Sequence, residues 1–339
     1  MNNYIYTLSN VDISIEKLHV CTWSLREKKA SLEIGICIPS NQNLAASFDV
    51  YLFAPFFSAN SEIRSLHEEL SNAENFKFIF NEQLTNLEPL DDGRVGNIVH
   101  YVNNNECRIA IVNVDMESND GFVKVTIHKP QPEHDFLYFR LFIKTEKDNL
   151  ADVSKGITKK IYKFDFKINE QRNKPKEVSD CERTQHLHVI SVSKAYCLHC
   201  VPDNFELSYS DTRKIQNVRM LEKDAFSRYL SELNDCKGNY IIAFQKDNVQ
   251  GSCTFYTCFT REYIGNEQLF LAIIANIVCS FLFAEAAWRC ALDSSQKWYT
   301  QIPVEWIALV ILAVFFLFCY VVKIIMKNRG GNILGRWRK

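Results

Sequence analysis

The sequence predicts a mainly β chain, an antiparallel sandwich or open barrel with a small α+β unit behind it, followed by a C-terminal two-helix transmembrane hairpin. Three observations predict this. Short runs rich in Val, Ile, Phe and Tyr alternate apolar and polar residues with period two. Asn-, Asp- and Gly-containing turns separate them at intervals of about 10 to 20 residues. Two long apolar stretches then close the chain.

The strands expected in the first 168 residues are Leu18–Leu25, Ser31–Ile38, Phe48–Ala54, Phe76–Phe80, Ile98–Val102, Arg108–Val114, Phe122–His128, Phe136–Ile143 and Ile161–Ile168. In GFVKVTIHK, Val123, Val125 and Ile127 share one face, and in FLYFRLFIK so do Leu137, Phe139, Leu141 and Ile143. One helix is expected within this β-rich region, from Glu62 to about Ser71. The polar segment NEQRNKPKEVSD, residues 169–180, reads as a linker. A small α+β unit over 181–262 follows, with strands at His186–Ser193, Tyr240–Gln245 and Ser252–Thr260. Its helix is expected at about Leu221–Asn234, where Leu221, Ala225, Tyr229 and Leu233 recur at helical spacing.

The hairpin is assigned to 263–326 and a basic tail to 327–339. Its first span, Leu269–Trp288, has 20 residues and one formal charge, Glu285; its second, Trp306–Val322, has none. At about 1.5 Å per residue, 20 residues cover the hydrocarbon thickness of a bilayer. Lys323, Lys327 and Arg329 after the second span place the tail, and with it the N-terminal body, on the cytoplasmic side of the cell membrane. The absence of a basic segment followed by an apolar one at the start of the chain agrees with this orientation. Trp288 and Trp306 sit where interface anchors belong, and Glu285 is close enough to the outer interface to snorkel. On the first span Ala272, Asn276, Ser280 and Ala284 recur every four residues as a small and polar stripe. Such a stripe packs against the second helix or, in a homo-oligomer, lines a bundle or pore.

Composition narrows the partners. With 39 basic and 40 acidic residues the net charge is -1, so charge gives no indication of nucleic acid as a partner. The twelve cysteines are scattered along a long chain and read as reduced, mostly buried thiols. The densest polar cluster is Cys181, His186, His188, Cys197, His199 and Cys200. Four of these, Cys181, His186, Cys197 and Cys200, are weak candidates for a structural zinc, because a second pair with two-residue spacing is absent. No cofactor is otherwise expected. No GxSxG, HExxH, GxxxxGK[ST] or GxGxxG motif occurs. The Asp91-Asp92-Gly93-Arg94 stretch reads as a turn, and Lys159, Lys160, Lys163 and Lys167 as the solvated side of a strand.

In layout the chain is similar to the two-transmembrane effectors of bacterial antiviral abortive-infection systems. The resemblance is one of architecture and carries over no residue. It implies a cytoplasmic β-rich domain that senses an activating ligand or protein, and a hairpin that assembles or opens to disrupt the bilayer. Two further readings stay open: a membrane-anchored adaptor or receptor-like binding protein with a passive anchor, and a membrane-bound enzyme using Cys197 or His199.

Overall fold

Apolar–polar alternation organises most of the chain into strands in the computed structural model. It describes residues 3–25, 29–42, 44–80, 84–89, 96–103, 105–130, 134–156, 158–233, 238–249, 251–262 and 266–291. In chain order the elements begin with β1 (Asn3–Ser9), β2 (Ser14–Ser24), β3 (Lys29–Pro39), β4 (Ser47–Phe53), β5 (Ile63–Ser65), α1 (His67–Leu70) and α2 (Ala73–Phe80). Next come β6 (Leu84–Pro89), β7 (Gly96–Asn103), β8 (Asn105–Val112), β9 (Val114–Asn119), β10 (Phe122–His128), β11 (Phe136–Glu146), α3 (Lys147–Leu150), β12 (Asp152–Lys155) and β13 (Lys159–Ile168). The rest are α4 (Lys176–Thr184), β14 (His188–Val189), β15 (Ser191–Pro202), β16 (Glu206–Ser210), β17 (Ile215–Leu221), α5 (Lys223–Tyr229), a 3-10 turn (Ser231–Leu233), β18 (Tyr240–Asn248), β19 (Cys253–Glu262) and α6 (Asn266–Ala291).

Two sheets result. The first has the order β16-β19-β13-β1-β4-β10-β9, with β12 on β13 and β14 on β1; the second runs β17-β18-β15-β2-β3-β11-β8-β7-β6, with β5 on β11. The expected antiparallel sandwich is therefore a mixed one. Most neighbours are antiparallel, but β1–β13, β8–β11 and β2–β15 pair in parallel. Parallel pairing needs long crossover connections rather than hairpin turns, and β2 reaches β15 only after more than a hundred intervening residues.

The inner faces share one core. Val50, Leu52, Val125, Ile127, Phe166 and Phe255 from the first sheet pack with Leu18, Val20, Ile34, Ile36, Leu137, Phe139 and Leu141 from the second. Each fully buried side chain of this size contributes about 1.5–3 kcal/mol. The outer face of the second sheet is apolar as well. There Trp23, Tyr138, Phe142 and Tyr240 meet Leu66 and Leu70 at α1, Phe76 from α2, and Phe226, Tyr229 and Leu230 at α5. On the far side of the first sheet, Tyr6, Leu8 and Phe53 pack against Val178 of α4 and Leu187. Sheets covered on both faces read as nearly continuous apolar runs, as β3 does, with only its first and last residues outside the core.

Several expectations change. The strand expected at Phe76–Phe80 is the second half of α2, where Phe76 stacks on Phe80 at 4.4 Å, an i,i+4 contact of helical geometry. The helix expected at Leu221–Asn234 is divided: Leu221 ends β17, α5 covers Lys223–Tyr229, and a 3-10 turn follows. The linker and the separate unit over 181–262 belong to the body that precedes them. Asn169, at φ 50°, is buried; its Oδ1 accepts from the Thr7 amide at 3.0 Å and its Nδ2 donates to the Ile190 carbonyl at 3.1 Å. Pro175 then leads into α4. Strand β15 pairs with β2, and β19 with β13, so residues 1–263 form one unit and residues 264–339 a second.

The second unit corrects the membrane expectation. The first predicted span does form a helix, α6, over Asn266–Ala291. Among the described residues, however, no helix is long and apolar enough to cross a membrane. The apolar run of α6 is interrupted after Leu269–Ala275 by Asn276, Ser280, Glu285 and Arg289. A span needs about 20 consecutive, predominantly apolar residues. The predicted transmembrane helix, pore and membrane location with both termini cytoplasmic lose their support on this ground. So does the expected membrane disruption by a defence effector. Ala272, Asn276, Ser280 and Ala284 are all exposed on α6, as is Trp288, while Glu285 is half-buried. The second predicted span with Trp306, and the cations Lys323, Lys327 and Arg329, lie outside the described residues. Asp91–Arg94 lies outside them as well.

Candidate functional site

Three adjacent strands build a polar row into the outer face of the second sheet. The pairing places His19 of β2 beside Gly35 of β3 and Gly35 beside Arg140 of β11; one step along, Cys21 neighbours Glu33 and Glu33 neighbours Phe142. All of these side chains leave the sheet on the side away from the sandwich core, because residues two apart share a face.

Glu33 is the centre of the row and is fully buried. Its Oε2 accepts from Arg140 Nε at 2.5 Å and from the Tyr229 hydroxyl at 2.9 Å, while Oε1 accepts from Trp23 Nε1 at 2.5 Å. A buried carboxylate persists only when paired and hydrogen-bonded, and here both conditions hold. Burial opposes the charge on Arg140, but the Glu33 carboxylate beside it outweighs that and holds the guanidinium firmly protonated. Burial likewise pushes the Tyr229 and Tyr138 phenols up.

Arg140 also donates through its Nη1 to the Tyr138 hydroxyl at 3.2 Å, and that hydroxyl lies 3.2 Å from His19 Nδ1. Burial, then the charges of Arg140 and Lys17, push His19 down to about 3, so its imidazole is neutral. The neutral imidazole and the Tyr138 hydroxyl thus share one hydrogen bond through Nδ1, with Arg140 on the other side of the phenol oxygen. Gly35 is required beneath this chain. A Cβ there would overlap the Tyr138 hydroxyl oxygen and lie 3.0 Å from Tyr138 Cζ.

Helices α1, α2 and α5 cover much of this face, and a cavity of about 340 Å³ remains. Its floor and walls come from Cys21, Trp23 and Arg140, with Leu198 and Cys200 of β15 and Ile242 of β18. Aromatic walls are provided by His19, Tyr196, Phe244 and Phe80. The Tyr196 and Phe244 rings are nearly parallel, 8° apart with centroids 6.0 Å apart, and His19 sits edge-on to Tyr196 at 5.1 Å. Lys17, Asn217 and Arg219 complete the lining, with Asn217 and Arg219 exposed on edge strand β17. The volume is at the lower end of the range typical of small-molecule sites, and a mostly apolar wall with a few polar groups is their usual make-up.

The sequence-derived candidates do not meet here. Cys197 and Cys200 leave β15 on opposite faces, Cys197 into the sandwich core and Cys200 toward the cavity. Cys181 is on α4 and His186 sits at φ 52° just beyond it, exposed. Among the described residues no group of three or more His, Cys, Asp and Glu side chains could hold a metal ion. Cys197 and His199 are in contact, 3.4 Å from Sγ to Nε2, but both are fully buried. His199 Nδ1 lies 2.9 Å from Thr22 Oγ1, and Phe164 and Phe166 pack against the imidazole ring. Burial drives the thiol well up and the imidazole down to about 3. A neutral thiol beside a neutral imidazole without solvent access is core packing, not an activated nucleophile.

Cys21 and Cys200, the two thiols of the cavity, have their sulfurs 3.8 Å apart, and burial drives the Cys200 thiol well up, so it is not a thiolate at neutral pH. The cavity therefore offers shape, aromatic surface and hydrogen-bond donors, without an evident nucleophile. A scan against protein-family models finds no match for this chain, and a search of curated proteins finds none either.

Proposed function

We propose that the body formed by residues 1–263 is a ligand-binding module, with the cavity on the outer face of the second sheet as its binding site. One observation carries this. A rigid, hydrogen-bonded floor (Glu33, Arg140, Trp23, Tyr138 and Tyr229) supports an open, aromatic-walled space of about 340 Å³ rather than being sealed by helices. A purely structural ion pair would be covered, as its Tyr229 side is by α5. The arrangement instead keeps part of the Arg140–His19 side within reach of a small molecule. Preorganised polar groups beneath an apolar wall favour binding because little ordering is left to be done when the ligand arrives.

The test uses a neutral naphthyl dye, N-phenyl-1-naphthylamine, whose emission rises in apolar pockets. The reading expects saturable binding at one site per chain, accompanied by quenching of Trp23, and loss of that binding in Leu198→Trp, which fills the cavity. Dye binding of equal strength in Leu198→Trp, in a folded protein, would place the dye elsewhere and refute the site.

A further inference from the structure

The charge of the lining is one-sided. Among the described residues, three of the side chains bounding the cavity are cationic, Lys17, Arg140 and Arg219, and none carries a carboxylate. Arg140 is compensated from beneath by Glu33. The other two are not: among the described residues, neither Lys17 nor Arg219 has a carboxylate within ion-pair distance. The acid next to Lys17 in sequence, Glu16, is taken by Lys194 at 2.7 Å. Its side chain also leaves β2 on the other face, since neighbours in a strand point oppositely. Asn217 stands two residues from Arg219 on the same face of β17 and adds an amide donor at the rim.

Aromatic surface accompanies this charge. The parallel Tyr196 and Phe244 rings line one side, and Trp23 and Phe80 of α2 add further aromatic surface. The neutral His19 adds a polar ring to the lining, and an imidazole that is not itself charged does not compete for a counter-ion. Flat aromatic walls favour planar ligands that stack on them. Uncompensated cations in a recess, partly shielded from water, favour an anion more strongly than they would on an open surface.

We infer that the cavity binds a small planar aromatic anion, its ring against Tyr196 and Phe244 and its anionic group held by Lys17 and Arg219 with Asn217. This rests on the proposal that the cavity is a ligand site and specifies what that site selects.

A pair of dyes that differ by one anionic group separates the two statements: N-phenyl-1-naphthylamine, which is neutral, and 8-anilinonaphthalene-1-sulfonate. Titration of the full chain should show the sulfonate binding about tenfold more tightly than the neutral dye, as one charge-assisted contact allows. Lys17→Met and Arg219→Met, half-buried and exposed positions outside the packed core, should each remove most of that difference. Raising the salt concentration from 0.05 to 0.5 M should weaken the sulfonate alone, since screening acts on the charge. Equal binding of the two dyes overturns the inference and leaves the ligand-site proposal standing. Sulfonate binding that persists unchanged in the Lys17→Met/Arg219→Met double variant also overturns it. If neither dye binds, both fall.

Discussion

Removing the Glu33 carboxylate is the most direct test of what holds the outer face together. In Glu33→Met, Arg140 keeps its charge at 4% exposure and loses the only carboxylate at its Nε, while Trp23 Nε1 and the Tyr229 hydroxyl lose their acceptor. Breaking one side of a buried ion pair typically costs about 3–5 kcal/mol, because the remaining charge is left desolvated and uncompensated. In a unit of 263 residues each kcal/mol lowers the melting temperature by about 2–4 °C, which gives a loss of about 6–20 °C. Adding Arg140→Met to Glu33→Met removes the stranded charge, so the double variant should be more stable than Glu33→Met, even though the Glu33 acceptor is still missing. Urea denaturation followed by far-ultraviolet circular dichroism measures both differences. A Glu33→Met protein within 1 kcal/mol of the parent would refute the argument. So would a double variant that is no more stable than that single one.

Three other predictions use the same face. Gly35→Ala should destabilise by about 1–3 kcal/mol, the usual cost of overpacking, because its Cβ meets the Tyr138 hydroxyl; Tyr138→Phe in the same chain should restore part of the loss, as a double-mutant cycle would show. Phe226→Ala on α5, which leaves a gap beside Trp23 and Tyr240, should cost about 3–5 kcal/mol by the same urea assay. Acid should destabilise the fold through its histidines: His19 and His199 are both held down to about 3, against an ordinary value of 6.5, so the unfolded chain binds protons that the folded one refuses. Their stabilisation is complete above pH 6.5 and is lost as pH falls toward 3, at up to about 1.4 kcal/mol per pH unit for each histidine. His19→Gln should therefore show a shallower fall in the urea midpoint between pH 6.5 and 5, and an unchanged slope would count against a neutral His19.

Much of the fold was legible because strands facing a core on one side alternate strictly. Val123, Val125 and Ile127, and Leu137, Phe139, Leu141 and Ile143, all lie in the inner core that their spacing predicts. The parallel pairings of β2 with β15 and of β1 with β13 were not legible, since register between distant segments leaves no local trace. The segment NEQRNKPKEVSD misled for a related reason. Its polar residues look solvated, yet Asn169 and Glu170 are buried, Asn169 by bonds to Thr7 and Ile190 that only the folded chain brings within reach. The paired cysteines misled through spacing: Cys197 and Cys200 are three apart on a strand, which sends them to opposite faces, whereas a metal knuckle needs a turn between them.

The cavity itself had a signal that was passed over. In LEIGIC and FLYFRLFI a single charged residue, Glu33 or Arg140, stands inside an apolar run. A lone charge there has to find its opposite, and two such runs of opposite sign predict that their strands are neighbours, as β3 and β11 are. The same reasoning reaches the site. Once Glu33 is fully engaged by Arg140, Trp23 and Tyr229, none of its carboxylate is left to balance Lys17 or Arg219 across the cavity. The pair that stabilises the outer face thus leaves the open half of that face with cations and aromatic rings but no acid. That imbalance has a use in a surface that receives an anion.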